Sequence, residues 1–180
     1  MAAVKGRLRP TAAKVREALF SILGDRVAGT RVLDLFAGTG ALGIEALSRG
    51  SVEAVFVEDH PASLKVLRRN LEDLELAGRS RIIARPVLRA LKLLAGQGEV
   101  FHLAFLDPPY GLGMAQPALE ALDLAGLLLP EGLAVVEHSR RETLPDQVGR
   151  LQLNQCRRYG DTQVAIYEVR EIPQEQELKG

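Results

Sequence analysis

Arg31-Val-Leu-Asp34-Leu-Phe36-Ala-Gly38-Thr-Gly40-Ala-Leu-Gly43-Ile-Glu-Ala-Leu-Ser-Arg49 reads as a buried strand, a glycine turn and a helix in direct succession. Val32, Leu33 and Leu35 form the short apolar run of a parallel strand covered on both faces. Gly38 and Gly40 suit a tight turn, and Ala41, Leu42, Ile44 and Leu47 then fall at helical spacing. Such a succession opens a nucleotide-binding β-α-β unit. Upstream, Pro10 can start a helix whose apolar face is Val15, Leu19, Ile22 and Leu23.

The alternation continues downstream. Strands are expected at 54–58, 81–84, 101–106 and 133–137, and helices at 61–76, 88–94 and 116–122, with an apolar turn around Leu127 to Leu129. Leu151 to Tyr159 and Thr162 to Val169 both alternate about Gly160-Asp161, the pattern of an antiparallel hairpin. These steps predict an α/β fold: a doubly wound, seven-stranded, mostly parallel sheet of Rossmann-like type, closed by a C-terminal antiparallel hairpin. Residues 1–170 are expected to form a single domain with a short basic N-terminal arm, and 171–180 a disordered tail.

Composition narrows the function. The 180 residues suffice for one domain with a real core. No apolar run approaches the roughly 20 residues that span a bilayer, and no secretory h-region opens the chain, so a cytoplasmic protein with no membrane partner is expected. One cysteine, Cys156, leaves no internal disulfide or cysteine-based zinc site, and no metal is expected. The 23 basic and 23 acidic residues balance, which argues against bulk attraction to nucleic acid. The basic residues nonetheless gather at the start, in Lys5, Arg7, Arg9, Lys14 and Arg16.

Gly38-Thr-Gly40-Ala-Leu-Gly43 satisfies G-x-G-x-x-G, and Glu58 follows 20 residues after Gly38, which on pattern alone is a dinucleotide fingerprint. Asp34 argues otherwise. A pyrophosphate at a helix N-terminus needs positive potential, and an acid near that spot repels it. S-adenosylmethionine has no phosphate and carries two cations, which an aspartate at the strand tip suits, while Glu58 is placed to accept hydrogen bonds from two ribose hydroxyls.

Leu106-Asp107-Pro108-Pro109-Tyr110 ends the fourth strand. It offers a carboxylate, a rigid turn with free carbonyls and no proline N–H, and a flat ring on one rim. That set suits the exocyclic amine of a planar base: Asp107 and the Pro108 carbonyl would hold the two N–H groups, and Tyr110 would stack on the ring. Methyl transfer is then an in-line displacement in which positioning supplies most of the acceleration. His102 reads as a satisfied core histidine, His138 as a rim residue just after the fifth strand, and His60 as part of the loop after Glu58.

Arg9-Pro-Thr11, Val15-Arg-Glu17-Ala-Leu-Phe20, the run Asp34 to Arg49 and Asp107-Pro-Pro-Tyr110, in that order, resemble one family. It is the bacterial 16S ribosomal RNA guanine-N2 methyltransferase family, and the likeness covers residues 8–169. The resemblance implies a class I methyltransferase acting on 16S rRNA in the 30S subunit or an assembly intermediate, with S-adenosyl-L-methionine as cofactor; a monomer is expected because no long apolar face is left over. It implies cofactor contacts at Asp34, Phe36, Gly38, Gly40, Glu58 and Asp59, and a guanine amine held by Asp107, Pro108, Pro109 and Tyr110. Arg9, Thr11 and Arg16 would face the RNA. Where the family often reads the adenine amine with a small polar or acidic residue, this chain has Arg85-Pro86-Val87, leaving the Val87 N–H as the adenine contact. Competing readings are an N6-adenine or protein-glutamine methyltransferase, a nicotinamide-dependent oxidoreductase, and a non-catalytic RNA-binding module.

Overall fold

The computed structural model describes residues 10–170. The basic arm, with Arg9, and the tail 171–180 lie outside the described residues. Helix α1 (Pro10–Leu23) leads into β1 (Arg31–Leu35), α2 (Ala41–Ser48), β2 (Glu53–Glu58), α3 (Pro61–Asp73), β3 (Ser80–Ala84), α4 (Val87–Gly96), β4 (Phe101–Leu106), α5 (Ala115–Leu124) and β5 (Leu128–Ser139). Strands β6 (Gln147–Val148), β7 (Leu151–Tyr159) and β8 (Thr162–Val169) follow. All seven expected strands are present, and the two-residue β6 adds an eighth against the outer side of β7.

The sheet order is β3-β2-β1-β4-β5-β8-β7-β6. Strands β1 to β5 pair in parallel, and β8 pairs antiparallel with both β5 and β7. Chain order reverses between β1 and β4, and in open α/β sheets ligands settle outside the carboxyl ends of the strands at such a switch point. Asp34 and Phe36 stand at the end of one of these strands and Asp107 at the end of the other.

Strand alternation sorts the core into two layers. Leu33, Leu35, Val55, Val57, Ala104, Leu106, Ala134 and Val136 face α4 and α5. Val32, Ala54, Phe56, Leu103, Phe105, Leu133 and Val135 face α1, with Leu67 and Leu71 of α3 and Ala46 and Leu47 of α2. Phe20 of α1 is fully buried there and meets Phe105 with ring centroids 5.6 Å apart. At the opposite, amino end of the strands Arg31 joins Glu53 at 2.8 Å and Glu99 at 2.7 Å, well away from the switch point.

Three sequence expectations are corrected. The apolar turn at 127–129 is partly strand: Leu128 pairs with Phe101, and β5 then shifts register before Leu133 meets Leu103. His102 is exposed rather than in the core, because it sits in the first turn of pleat of β4, where its Nδ1 accepts the Arg31 N–H at 3.1 Å. His138 lies inside β5 at 3% exposure, its Nδ1 between the carbonyls of Ser139 and Glu142, so it offers nothing at the rim. Among the described residues no helix is long and apolar enough to cross a membrane.

Candidate active site

A cleft of about 560 Å³ opens at the switch point, lined by Phe36, Gly38, Val57–His60, Arg85–Val87, Asp107, Pro109 and Met114. Its floor is built by the glycine turn. Phe36 adopts a left-handed φ of 60°, rare for a bulky residue, and Gly38 and Gly40 follow at φ of 56° and 85°. A side chain on Gly40 would also run into Leu67 and Ile44, so this position is closed to any Cβ on two counts.

The N–H groups of that turn are already engaged. Gly38 donates to Glu58 Oε2 at 2.7 Å, Gly40 to the Ala37 carbonyl at 2.7 Å, and Gly43 to Asp34 Oδ2 at 2.9 Å. A dinucleotide reading needs these donors for pyrophosphate, and two of the three instead meet carboxylates. Glu58 Oε1 accepts two further N–H groups, from Asp59 at 3.0 Å and His60 at 2.8 Å. The carboxylate is thus fixed at the tip of β2 and faces the cleft.

Asp34 stands elsewhere than expected. It is 1% exposed and lies beneath the turn instead of lining the cleft. The reason is the strand period: Asp34 shares the face of Val32, which points toward α2. Burial pushes its pKa up to about 7, opposed by the Gly43 N–H and aided by the charge of Glu58. Its carboxyl joins β1 to α2, and any effect on a cofactor runs through the turn. Gly40 likewise shapes the turn without lining the cleft. Val87 is the first residue of α4, where a helix leaves its N–H without an intrahelical acceptor.

Asp107 ends β4 at the cleft wall. Burial of its carboxyl first, then the charges of Glu137 and Asp34, push its pKa up to about 8. The residue as a whole opens to the cleft, which tempers the burial effect; the two neighbouring acids push in the same upward direction. Pro108 is buried and Pro109 lines the cleft. Tyr110 turns the other way, into a second cavity of about 550 Å³ with Gly111, Gly113, Ser139–Glu142, Asp161 and Thr162. The turn therefore places Asp107 on one cavity and Tyr110 on its neighbour.

Tyr110 Oη donates to Glu137 Oε1 at 2.7 Å and lies 2.9 Å from Thr162 Oγ1. Neither partner was singled out from the sequence. Glu137 had a legible signal, since it ends an apolar run as Glu58 and Asp107 do; Thr162 had none. Arg16 is placed on α1 with Glu45 of α2 at 3.9 Å and lines neither cavity. Thr11 belongs to α1, and Arg9 lies outside the described residues.

The sheet order, the acid-fixed glycine turn and the Asp-Pro-Pro-Tyr turn on the switch point define a class I methyltransferase. Comparison with known proteins agrees. The chain belongs to the family described as conserved hypothetical protein 95, which matches residues 1–168, and its relatives include the ribosomal RNA small subunit methyltransferase D proteins. That protein from Escherichia coli is 34% identical over 89% of this chain and 79% of its own length. YlbH of Bacillus subtilis, provisionally named an rRNA methyltransferase, is 40% identical over 90% of this chain and 88% of its own. Among solved structures, a Thermus thermophilus 16S rRNA N2 G1207 methyltransferase in complex with AdoMet and guanosine superposes with a TM-score of 0.71 at 27% identity. It covers 93% of this chain and 45% of its own length.

Proposed function

We propose that this chain transfers a methyl group from S-adenosyl-L-methionine to the exocyclic N2 amine of a guanine in 16S rRNA of the small subunit. The observation that carries the reading is the two-sided turn: Asp107 on the cleft with Glu58, and Tyr110 on the cavity beside it. The cleft fits the cofactor. Phe36, Val57, Val87 and Met114 offer apolar surface for an adenine, and Glu58, Asp59 and Asp107 offer acids for a ribose and for cationic groups. Bound there, the cofactor supplies an electrophilic methyl: the nitrogen–carbon bond forms as the carbon–sulfur bond breaks, the electron pair goes to sulfur, and a proton leaves the nitrogen.

The chain's own residues do the rest. Ionised Asp107 accepts one N–H of the amine and the Pro108 carbonyl the other, which aims the nitrogen lone pair across the turn. Asp107 then takes the departing proton, a role its raised pKa suits. Tyr110 stacks on the base. The names of the relatives support small-subunit rRNA as substrate, and the Thermus thermophilus neighbour supports a guanine amine. With such a substrate the protein works in the cytoplasm, as a monomer whose residues 1–170 form one methyltransferase domain, with Arg9 and Thr11 at the RNA.

The test is transfer of labelled methyl to unmodified 30S subunits, naked 16S RNA and duplex DNA. Label recovered from rRNA as N2-methylguanosine at one site supports the reading. N6-methyladenine, or label on DNA or on protein glutamine, replaces it while keeping the fold and cofactor. Stabilisation by NADH and not by S-adenosylhomocysteine overturns it.

A further inference from the structure

We propose that Glu137 is a positioning residue for methyl transfer, locking the Tyr110 ring through its hydroxyl and setting the charge state of Asp107 beside it. The inference rests on Asp107–Tyr110 being the amine site and adds a residue that the family's recognisable motifs do not contain.

Three independent placements converge on Glu137. The parallel register pairs Leu106 with Val136, so the next residues along are Asp107, just past the end of β4, and Glu137, inside the neighbouring β5. Alternation puts both on the face of Phe105 and Val135, away from α5. The Glu137 carboxylate accepts a hydrogen bond from the Tyr110 hydroxyl at 2.7 Å. A phenol has one hydrogen to give, so Thr162, 2.9 Å away, donates its own hydroxyl to Tyr110 Oη. The ring is pinned at its far end by β5 and β8, while its near end sits on a turn whose Gly111 and Gly113 both adopt left-handed φ.

That pin has a purpose. Tyr110 is 44% exposed and belongs to neither core cluster, so its two hydroxyl hydrogen bonds are what tie the ring to the sheet among the described residues. A stacking platform free to rotate loses the orientation on which in-line transfer depends. The hydroxyl is bound at both faces and is held as a phenol, with its pKa driven up by burial.

Glu137 also acts on Asp107 directly. The charge of Glu137 on the neighbouring strand disfavours the ionised form of Asp107. The effect makes Asp107 a stronger acceptor for the amine proton, at the cost of holding a proton itself when the cleft is empty. Positive charge from S-adenosylmethionine in the cleft would favour the ionised form of Asp107. Replacing Glu137 by glutamine keeps an oxygen that accepts the Tyr110 hydroxyl and removes the charge, so it should change the pH response above all.

The experiment compares wild type, Glu137→Gln, Tyr110→Phe and Asp107→Ala in methyl transfer to unmodified 30S subunits across pH 5.5 to 9.5. S-adenosylhomocysteine binding by calorimetry serves as the control for folding and for the cofactor cleft. Glu137→Gln should bind S-adenosylhomocysteine within about threefold of wild type, lose about tenfold or more in kcat, and move the acid limb of kcat/KM to lower pH. Tyr110→Phe should lower kcat on 30S several-fold without moving that limb. Thr162→Val, which loosens the ring and leaves both acids in place, should resemble Tyr110→Phe. It reads the pin independently if Glu137→Gln does not fold. Wild-type kcat and an unmoved limb in Glu137→Gln, alongside an inactive Asp107→Ala, overturn the role of Glu137 alone. Full turnover in Asp107→Ala overturns the amine-site reading beneath it.

Discussion

Asp34 Oδ2 accepts the Gly43 N–H at 2.9 Å, and this one bond joins the tip of β1 to the first turn of α2 with the whole glycine turn between them. The acid is fully enclosed, and burial raises its pKa to about 7. A carboxyl whose folded pKa is raised contributes stability that is complete below its unfolded pKa, near 4, and is lost as pH rises through about 7. Asp34→Asn keeps an acceptor for Gly43 and cannot ionise. Relative to that variant, the wild type should lose about 1–3 kcal/mol of unfolding free energy between pH 5 and pH 8. Urea unfolding at both pH values checks this; parallel changes in the two proteins refute it.

Glu58 satisfies the N–H groups of Gly38, Asp59 and His60 at once. Removing the acceptor in Glu58→Ala strands three donors and should lower stability by about 1–3 kcal/mol. It should also weaken S-adenosylhomocysteine binding by about tenfold or more. Glu58→Gln retains one carbonyl oxygen, so it should recover part of the stability while still binding the cofactor poorly. Thermal melts with and without S-adenosylhomocysteine separate the two effects.

A methyl group on Gly43 would enter the ring of Phe56 and crowd Asp34. The helix can relieve that only by lifting off β2. Gly43→Ala should cost about 1–3 kcal/mol, and the second change Phe56→Leu should return part of it. Denaturant midpoints of the single and double variants decide the matter. Additive losses would show that the ring is not the obstacle.

Asp107 must be ionised to accept an amine N–H, and its pKa lies near 8 in the empty cleft. In the wild type, kcat/KM for S-adenosyl-L-methionine, which reports the enzyme with its cleft empty, should therefore climb with pH and level off above about 8. Asp107→Asn should lose about 10²- to 10⁴-fold in kcat together with that limb, and keep S-adenosylhomocysteine affinity within a few-fold. A pH–rate profile of both proteins is the measurement.

Strands β1, β2 and β4 were legible because they are buried on both faces and read as apolar runs with an acid at or near their ends, and β7 and β8 because their residues alternate. The ends of the fifth strand were not, because Pro130-Glu131-Gly132 interrupts the run, with Glu131 at a left-handed φ, while pairing resumes on either side. Glu58 and Asp107 were legible as cleft residues by position. Asp34 was misplaced because a strand-end acid can face either layer, and the face is settled by the pleat rather than by proximity to the glycines. Glu137 and Thr162 escaped because they meet Tyr110 only through tertiary pairing, 27 and 52 residues away.

The sheet order has a consequence for how the protein is made. Strand β8 is the last to be synthesised, yet it is inserted between β5 and β7. As the chain leaves the ribosome, every residue lining the Glu58 cleft has emerged before Thr162 exists. A nascent chain can gather the Glu58 cleft early, but the hold on Tyr110 waits for the final hairpin, and until then β5 presents an unpaired edge to its surroundings. Truncation ahead of residue 162 thus removes the clamp on Tyr110 and exposes a sticky strand in the same event.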